Sequence, residues 1–135
     1  MYADAGLFLL PLLHEARLPH VVAATRFLES LARGVGRVST STLTWDEVVY
    51  VVRRFLGPED SIAKGGELLA FPNLLWLRVD LSVLRRGADL YRTLPMRPRD
   101  AIHAGAALEA GESEILTEDR VFDRVPGLDR VWPPP

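Results

Sequence analysis

The chain has 135 residues, of which 48% are hydrophobic and 25% are charged; its formal net charge is -2 and it contains no cysteine. This length and balance are typical of one globular domain, so we expect a single domain over residues 1–135. The lack of cysteine excludes disulfide frameworks, zinc ribbons and thiol-dependent enzymes. The near-neutral charge argues against a general nucleic-acid coat protein.

The sequence shows no sign of export or of a membrane span. No run of about 18 apolar residues occurs. The first ten residues, MYADAGLFLL, contain Asp4 where a secretory signal carries basic residues. We therefore expect a soluble protein of the cytoplasm with no membrane partner.

The first 36 residues predict a strand and two helices. Residues 1–10 indicate a short strand that turns at Gly6 into a helix limited by Pro11. A second helix is expected from His20 to Arg33, because apolar residues recur there at helical spacing and Gly34 follows as a stop signal.

The next part of the chain predicts a second strand and two more helices. The strand begins at Val38. Thr44 and Glu47 have the spacing of a capping box, and the helix that follows them ends at Gly57. A further helix is expected from Ser61 to Ala70.

The second half of the chain alternates strands with helices. The apolar run from Leu74 to Val79 indicates a buried strand, and Asp80 is placed to cap a helix that runs to about Tyr91. Pro98 suits the first turn of the next helix. Two more strands are expected at Glu114 to Leu116 and, at the edge of the sheet, at Leu128 to Trp132. This alternation predicts an α/β fold with a parallel sheet covered by helices on both faces.

Four acidic residues are predicted at the carboxyl ends of the strands. Asp4 follows the first strand, Glu47 lies in the first turn of the helix after the second, Asp100 begins a later helix, and Asp119 follows the fourth strand. Ligands of an open parallel sheet bind at this edge, so all four side chains are expected to face one crevice. Crowded carboxylates repel each other unless a cation lies between them, and Mg²⁺ prefers oxygen ligands. The pattern therefore predicts a divalent-metal site.

These acids belong to motifs that resemble the PIN-domain family, specifically the VapC-like toxins of bacterial and archaeal toxin-antitoxin pairs. The motifs are YADA, STSTLTWDEV, RPRDAIHAGAAL and ILTEDRVFD, and together they span nearly the whole chain. The resemblance implies a PIN-like three-layer sandwich with a parallel five-stranded sheet, endoribonuclease activity with Mg²⁺ or Mn²⁺, an antitoxin that covers the site, and a homodimer. The resemblance implies four metal-binding acids, which are Asp4, Glu47, Asp100 and Asp119. It also implies Thr117 as the companion hydroxyl and Asp123 as an occasional extra acid.

The chemistry expected from this resemblance is hydrolysis of an RNA phosphodiester by a water whose pKa a bound cation lowers. Glu47 either completes the ligand set or orients that water. The sequence is compatible with one ion or with two. Arg97 and Arg99, beside Asp100, are expected to hold RNA phosphates.

Several residues allow a second interpretation. The alternative for Glu47 is that it serves only as the capping-box partner of Thr44 and that Asp46 is the ligand instead. His103 is expected to be a packed or hydrogen-bonded side chain rather than a general base. Ala5 stands where many PIN relatives carry Asn, Ser or Thr, which leaves open what supports the preceding acid.

Two other functions compete with the ribonuclease. A phosphatase with Asp4 as nucleophile would need a second Asp two residues later and a well-placed lysine, whereas this chain has Gly6 there and Lys64 as its single lysine. A PIN-like scaffold would bind proteins without cleaving RNA, and the presence of all four acids counts against it. The apolar helices from Leu7 to Leu13 and from Val21 to Leu31 are predicted surfaces for the antitoxin and the dimer.

Overall fold

The structure, a computed structural model, describes residues 1–134; Pro135, the last residue of the predicted domain, lies outside the described residues. The strands are β1 (Tyr2–Ala3), β2 (Val38–Ser41), β3 (Leu74–Leu77), β4 (Glu114–Leu116) and β5 (Asp129–Val131). The helices are α1 (Ala5–Leu13), α2 (Pro19–Ala32), α3 (Thr42–Leu56), α4 (Pro58–Leu69), α5 (Leu81–Thr93) and α6 (Pro98–Glu109), and a short 3-10 helix covers Arg120–Arg124. All neighbouring strands pair in parallel in the order β3-β2-β1-β4-β5. The predicted α/β class and parallel sheet are confirmed.

Alternate residues of the central strands serve two separate hydrophobic cores. Tyr2 and Ile115 belong to the core formed with α5 and α6, whereas Ala3 and Leu116 belong to the core formed with α1 to α4. All four are fully buried at 0% exposure. Successive side chains of a strand point to opposite faces of a sheet, so helices cover both faces, as the sequence predicts.

Two local predictions are wrong. Pro11 does not limit α1, which continues to Leu13 because Leu10 is buried and packing holds the last turn in place although proline donates no backbone hydrogen bond. The run from Leu74 forms an edge strand instead of a buried one, and Leu75 is 59% exposed, because β3 pairs only with β2.

Two glycines allow α5 and α6 to pack closely. A Cβ on Gly87 would lie 3.0 Å from the carbonyl oxygen of Ala101, and one on Gly105 would lie 2.8 Å from that of Val83. This contact fixes α6, whose first turn carries Asp100. Within residues 1–134, no helix combines the length and the apolar composition that crossing a membrane requires.

Candidate active site

The carboxyl ends of the strands open onto a cavity of about 220 Å³, and all four predicted acids line it. Asp4 directly follows β1, and Asp119 follows β4 after a short turn. Glu47 and Asp100 come from α3 and α6. The structure thus brings together the four side chains that the sequence predicts to meet.

Asp4 is the N-cap of α1, and both of its carboxylate oxygens accept hydrogen bonds. Oδ1 accepts from the Gly6 backbone N–H at 2.9 Å, and Oδ2 accepts from the Thr117 hydroxyl at 2.6 Å. The buried Thr117 oxygen also accepts from the Asp119 N–H at 3.1 Å. Thr117 therefore joins the loops after β1 and β4, and Asp4 is supported without a polar side chain at position 5.

Burial raises the pKa of Asp4 above its ordinary value of 3.8. The coulombic interaction with His103 and the hydrogen bonds from Thr117 and Gly6 oppose this rise in the pKa, while the coulombic interaction with Glu47 adds to it. The ionised form of Asp4 is thus less favourable in the folded protein than it is in water.

The structure separates Glu47 from its neighbour Asp46. Because α3 begins at Thr42, ahead of the predicted cap, Glu47 lies in the second turn and lines the cavity. The predicted capping box is absent: the Thr44 hydroxyl pairs with a threonine of β2 at 2.7 Å. Asp46 is 61% exposed and pairs with Arg99 at 3.5 Å, so its side chain is engaged outside the cavity.

A single guanidinium joins Asp100 and Asp119. Arg97 Nε donates to Asp100 Oδ2 at 3.1 Å, and Arg97 Nη2 donates to Asp119 Oδ2 at 3.4 Å. The Arg97 side chain is 79% exposed, whereas that of Asp100 is 13% exposed. Its hydrogen bond with Asp100 raises the pKa of Arg97. The singly charged guanidinium of Arg97 therefore lies between two of the acids, on the solvent side of the cavity.

Two residues of the site region were not predicted to act there, His103 and Tyr2. His103 is 3% exposed; its Nε2 lies 2.6 Å from Glu47 Oε2 and its Nδ1 lies 2.6 Å from the Tyr2 hydroxyl. The expectation of a packed, hydrogen-bonded histidine is confirmed, but its partner is one of the four acids. The available signal was spacing, since His103 lies three residues after Asp100 and so on the same side of α6.

Other candidates lie away from the cavity. Asp123 is held by Arg130, whose Nε donates to it at 2.7 Å. Lys64 pairs with Glu67 on α4 at 2.7 Å and lines a different groove, so the cavity lacks the lysine that the phosphatase alternative requires.

The donor set of the cavity fits a hard divalent cation. Four carboxylates supply the oxygen ligands that Mg²⁺ and Mn²⁺ prefer, and Arg97 already places positive charge between two of them. Among the side chains of residues 1–134, no three acidic or histidine groups are already arranged as a metal site.

Comparison with known proteins agrees with this geometry. A family model described as the PIN domain matches residues 1–128. None of the curated protein sequences compared matches the chain significantly.

Several solved structures share the fold. A toxin-antitoxin complex from Klebsiella pneumoniae is similar with a TM-score of 0.66 and 16% identity, over 94% of this chain and 93% of that one. DNA-bound VapBC from Salmonella typhimurium is similar with a TM-score of 0.67 and 23% identity, over 96% of this chain and 95% of that one. VapC20 of Mycobacterium tuberculosis is described as a toxin that cleaves the sarcin-ricin loop. It is similar with a TM-score of 0.68 and 13% identity, over 84% of this chain and 85% of that one. At these identities the likeness establishes the fold.

Proposed function

The chain belongs to the PIN-domain family, and from this membership we propose that it is an endoribonuclease dependent on Mg²⁺ or Mn²⁺. We further propose that it is the toxin of a toxin-antitoxin pair, a single domain over residues 1–135 that acts in the cytoplasm. One observation carries the proposal: four carboxylates from four separate elements line one cavity at the carboxyl ends of the strands.

The residues proposed to hold the cation are Asp4, Asp100 and Asp119, with Glu47 completing the ligand set or orienting the attacking water. A bound divalent cation would lower the pKa of that water and stabilise negative charge on the leaving oxygen. Asp4 keeps its orientation through Thr117 and Gly6, which hold one oxygen each. The protein thus fixes the orientation of this one carboxylate before substrate binds.

Two arginines at the rim of the cavity are proposed to bind the RNA. Arg97 and Arg99 both line it and are largely exposed, at 79% and 49%. A guanidinium donates two parallel hydrogen bonds to a phosphate, and such contacts position a nucleic acid without reading its sequence. Since the net charge of the chain is -2, RNA contact is expected to be confined to this rim.

An antitoxin protein is the partner that we propose, because the Klebsiella structure is described as a toxin-antitoxin complex. An apolar groove of about 130 Å³ lies between α1, α2, α3 and α4, and its lining reaches the core at the buried residues Val48 and Leu68. Phe8, Leu12, Leu28 and Phe71 line this groove. A groove of this kind accepts the apolar face of a partner helix. Homodimer formation is proposed from the family alone.

The test is cleavage of mixed RNA by purified, partner-free protein with Mg²⁺ or Mn²⁺ and with EDTA. We expect wild type to cleave only with metal, Asp100→Asn to lose the activity, and Asp89→Asn to retain it. Asp89 is a matched control because it is an exposed acid paired with Arg92 on α5, away from the cavity. Equal cleavage by wild type and Asp100→Asn would trace the activity to a contaminant and favour the scaffold alternative.

The same assay distinguishes the two adjacent acids of α3. We expect Glu47→Gln to lower kcat/KM by at least about tenfold, as loss of a metal-site carboxylate or its support does. Asp46→Asn is expected to change it less than about threefold, because exposed ion pairs contribute little. The reverse ranking would assign the ligand to Asp46 and contradict the orientation of α3.

A further inference from the structure

A buried row of hydrogen bonds connects the interior of the sheet to the cavity. Tyr2 OH donates to Ser41 Oγ at 2.9 Å, the same hydroxyl lies 2.6 Å from His103 Nδ1, and His103 Nε2 lies 2.6 Å from Glu47 Oε2. Ser41 and Tyr2 are 0% exposed and His103 is 3% exposed, while the Glu47 side chain is 16% exposed. The row begins in the core and ends at one of the site acids.

Packing keeps this row in one arrangement. Tyr2 and Ser41 belong to the adjacent strands β1 and β2, and the Tyr2 and His103 rings pack edge to face with centroids 5.8 Å apart. Among residues 1–134, every buried side-chain nitrogen and oxygen has a hydrogen-bond partner. Rotation of the His103 ring would leave polar atoms unpaired in the core, which burial penalises.

The last bond of the row crosses the end of the sheet. Glu47 is on α3 and His103 is on α6, and these helices pack into the two different cores. Because 2.6 Å is a hydrogen-bonding distance, one hydrogen lies between His103 Nε2 and Glu47 Oε2, whichever of the two atoms carries it. The second oxygen, Oε1, accepts no hydrogen bond from residues 1–134 and is not buried, so it is available to the cavity that Glu47 lines.

We propose that His103 is a positioning residue that holds one oxygen of Glu47 and thereby presents the other to the divalent cation, with Tyr2 and Ser41 fixing the imidazole ring. The inference rests on the proposed function, which gives Glu47 its role. Ligand carboxylates are commonly oriented by such outer hydrogen bonds, and loss of the outer partner lowers metal affinity or activity by about 10–100-fold.

Two substitutions that replace different ring nitrogens test this proposal. The amide of His103→Gln reaches the place of Nε2 and still donates to Glu47, whereas the shorter side chain of His103→Asn reaches only the place of Nδ1. Mn²⁺ affinity is measured by calorimetry on partner-free protein without RNA, with thermal unfolding recorded to establish that each variant is folded. We expect His103→Asn to bind Mn²⁺ about 10–100-fold more weakly, and His103→Gln to keep most of the affinity. The control His20→Asn, on α2 and away from the cavity, is expected to match wild type.

Two further readouts separate positioning from simple packing. Tyr2→Phe retains the packed ring but removes the hydroxyl, so we expect a smaller loss of Mn²⁺ affinity in the same direction. In RNA cleavage, raising the Mn²⁺ concentration is expected to recover kcat in His103→Asn while KM for RNA stays near that of wild type. A residue that only filled space would lower stability without this metal dependence.

Equal Mn²⁺ affinities of wild type and folded His103→Asn would overturn the proposal, as would equal losses in the Asn and Gln variants. Wild-type protein that binds no Mn²⁺ would also overturn it. Protein that binds Mn²⁺ with the expected ranking but cleaves no RNA would contradict the ribonuclease and leave the positioning role supported.

Discussion

Arg97 forms ion pairs with two acids of the site, and these pairs contribute little free energy. Its guanidinium is 79% exposed, and its distances to Asp100 and Asp119 are 3.1 Å and 3.4 Å. Exposed ion pairs contribute at most about 1 kcal/mol. A divalent cation placed between the same carboxylates offers a stronger attraction, so metal binding is expected to release Arg97 toward solvent. A released Arg97 is then free to bind an RNA phosphate, the role proposed for it above.

Arg97→Gln therefore has opposite expected effects on metal and on RNA. Mn²⁺ affinity measured by calorimetry is expected to rise by up to about fivefold, the equivalent of about 1 kcal/mol, because the competing cation is gone. KM for RNA is expected to rise because a phosphate ligand is lost. Arg92→Gln, which breaks an exposed pair with Asp89 on α5, serves as the matched control. A fall in Mn²⁺ affinity would instead show that Arg97 holds the acids in their binding arrangement.

Among the secondary-structure elements, those defined by local signals were predicted from the sequence. β4 occupies Glu114–Leu116 as expected, and Asp80 caps α5 by accepting from the Val83 N–H at 3.1 Å. The start of α3 differs from the prediction because the Thr44 hydroxyl pairs with that of Thr40, at the end of β2, and does not cap a helix. The contact of His103 with Glu47 joins residues that are far apart in the sequence, so local signals do not reveal it.

The crossing of α5 and α6 gives a prediction at the scale of elements. An added Cβ on Gly105 would lie 2.8 Å from the Val83 carbonyl oxygen and 3.0 Å from the Gly87 nitrogen, so Gly105→Ala forces the two helices apart. We expect the free energy of unfolding, measured by urea denaturation, to fall by about 1–3 kcal/mol. Gly66→Ala on α4 is the matched control, because nothing lies within 4 Å of its added Cβ.

The control is expected to gain up to about 1 kcal/mol from helix propensity alone. The opposite signs matter, since both substitutions replace a helical glycine by alanine. If Gly105→Ala were stabilised as much as Gly66→Ala, α5 and α6 would not pack as closely as described. The contact between these helices would then not be what places Asp100.

For the whole molecule, the strand order decides both the fold and the site. The motifs predict which residues lie at strand ends, but not which strands are neighbours. The order β3-β2-β1-β4-β5 places β1 at the centre, so Asp4 stands between the loops of β2 and β4. The same order puts β3 at an edge, which the apolar run from Leu74 does not reveal.

Gathering acids in one cavity is expected to lower the stability of the metal-free chain, and Asp4 makes this measurable. Burial raises its pKa in the folded state, so the folded protein binds this proton more tightly than the unfolded chain does. The resulting stabilisation is complete below 3.8, the ordinary pKa that the unfolded chain keeps, and is lost as pH rises through the higher folded pKa. In EDTA, wild type should therefore lose unfolding free energy relative to Asp4→Asn as pH rises across this interval.

At pH 7 in EDTA we expect Asp4→Asn to be more stable than wild type by about 0.5–2 kcal/mol, the range that single stabilising substitutions commonly give, which is a few degrees in Tm. Mn²⁺ should reverse the order, because a ligand that binds only the folded state stabilises wild type in proportion to its affinity and should bind the variant weakly. Thermal unfolding at several pH values, with EDTA and with Mn²⁺, measures both effects. A variant less stable than wild type at every pH in EDTA would mean that the hydrogen bonds from Thr117 and Gly6 outweigh the burial of Asp4. In that case hydrogen bonds within the protein would be enough to stabilise the ionised carboxylate of Asp4. A bound cation would then add positive charge without relieving repulsion between carboxylates.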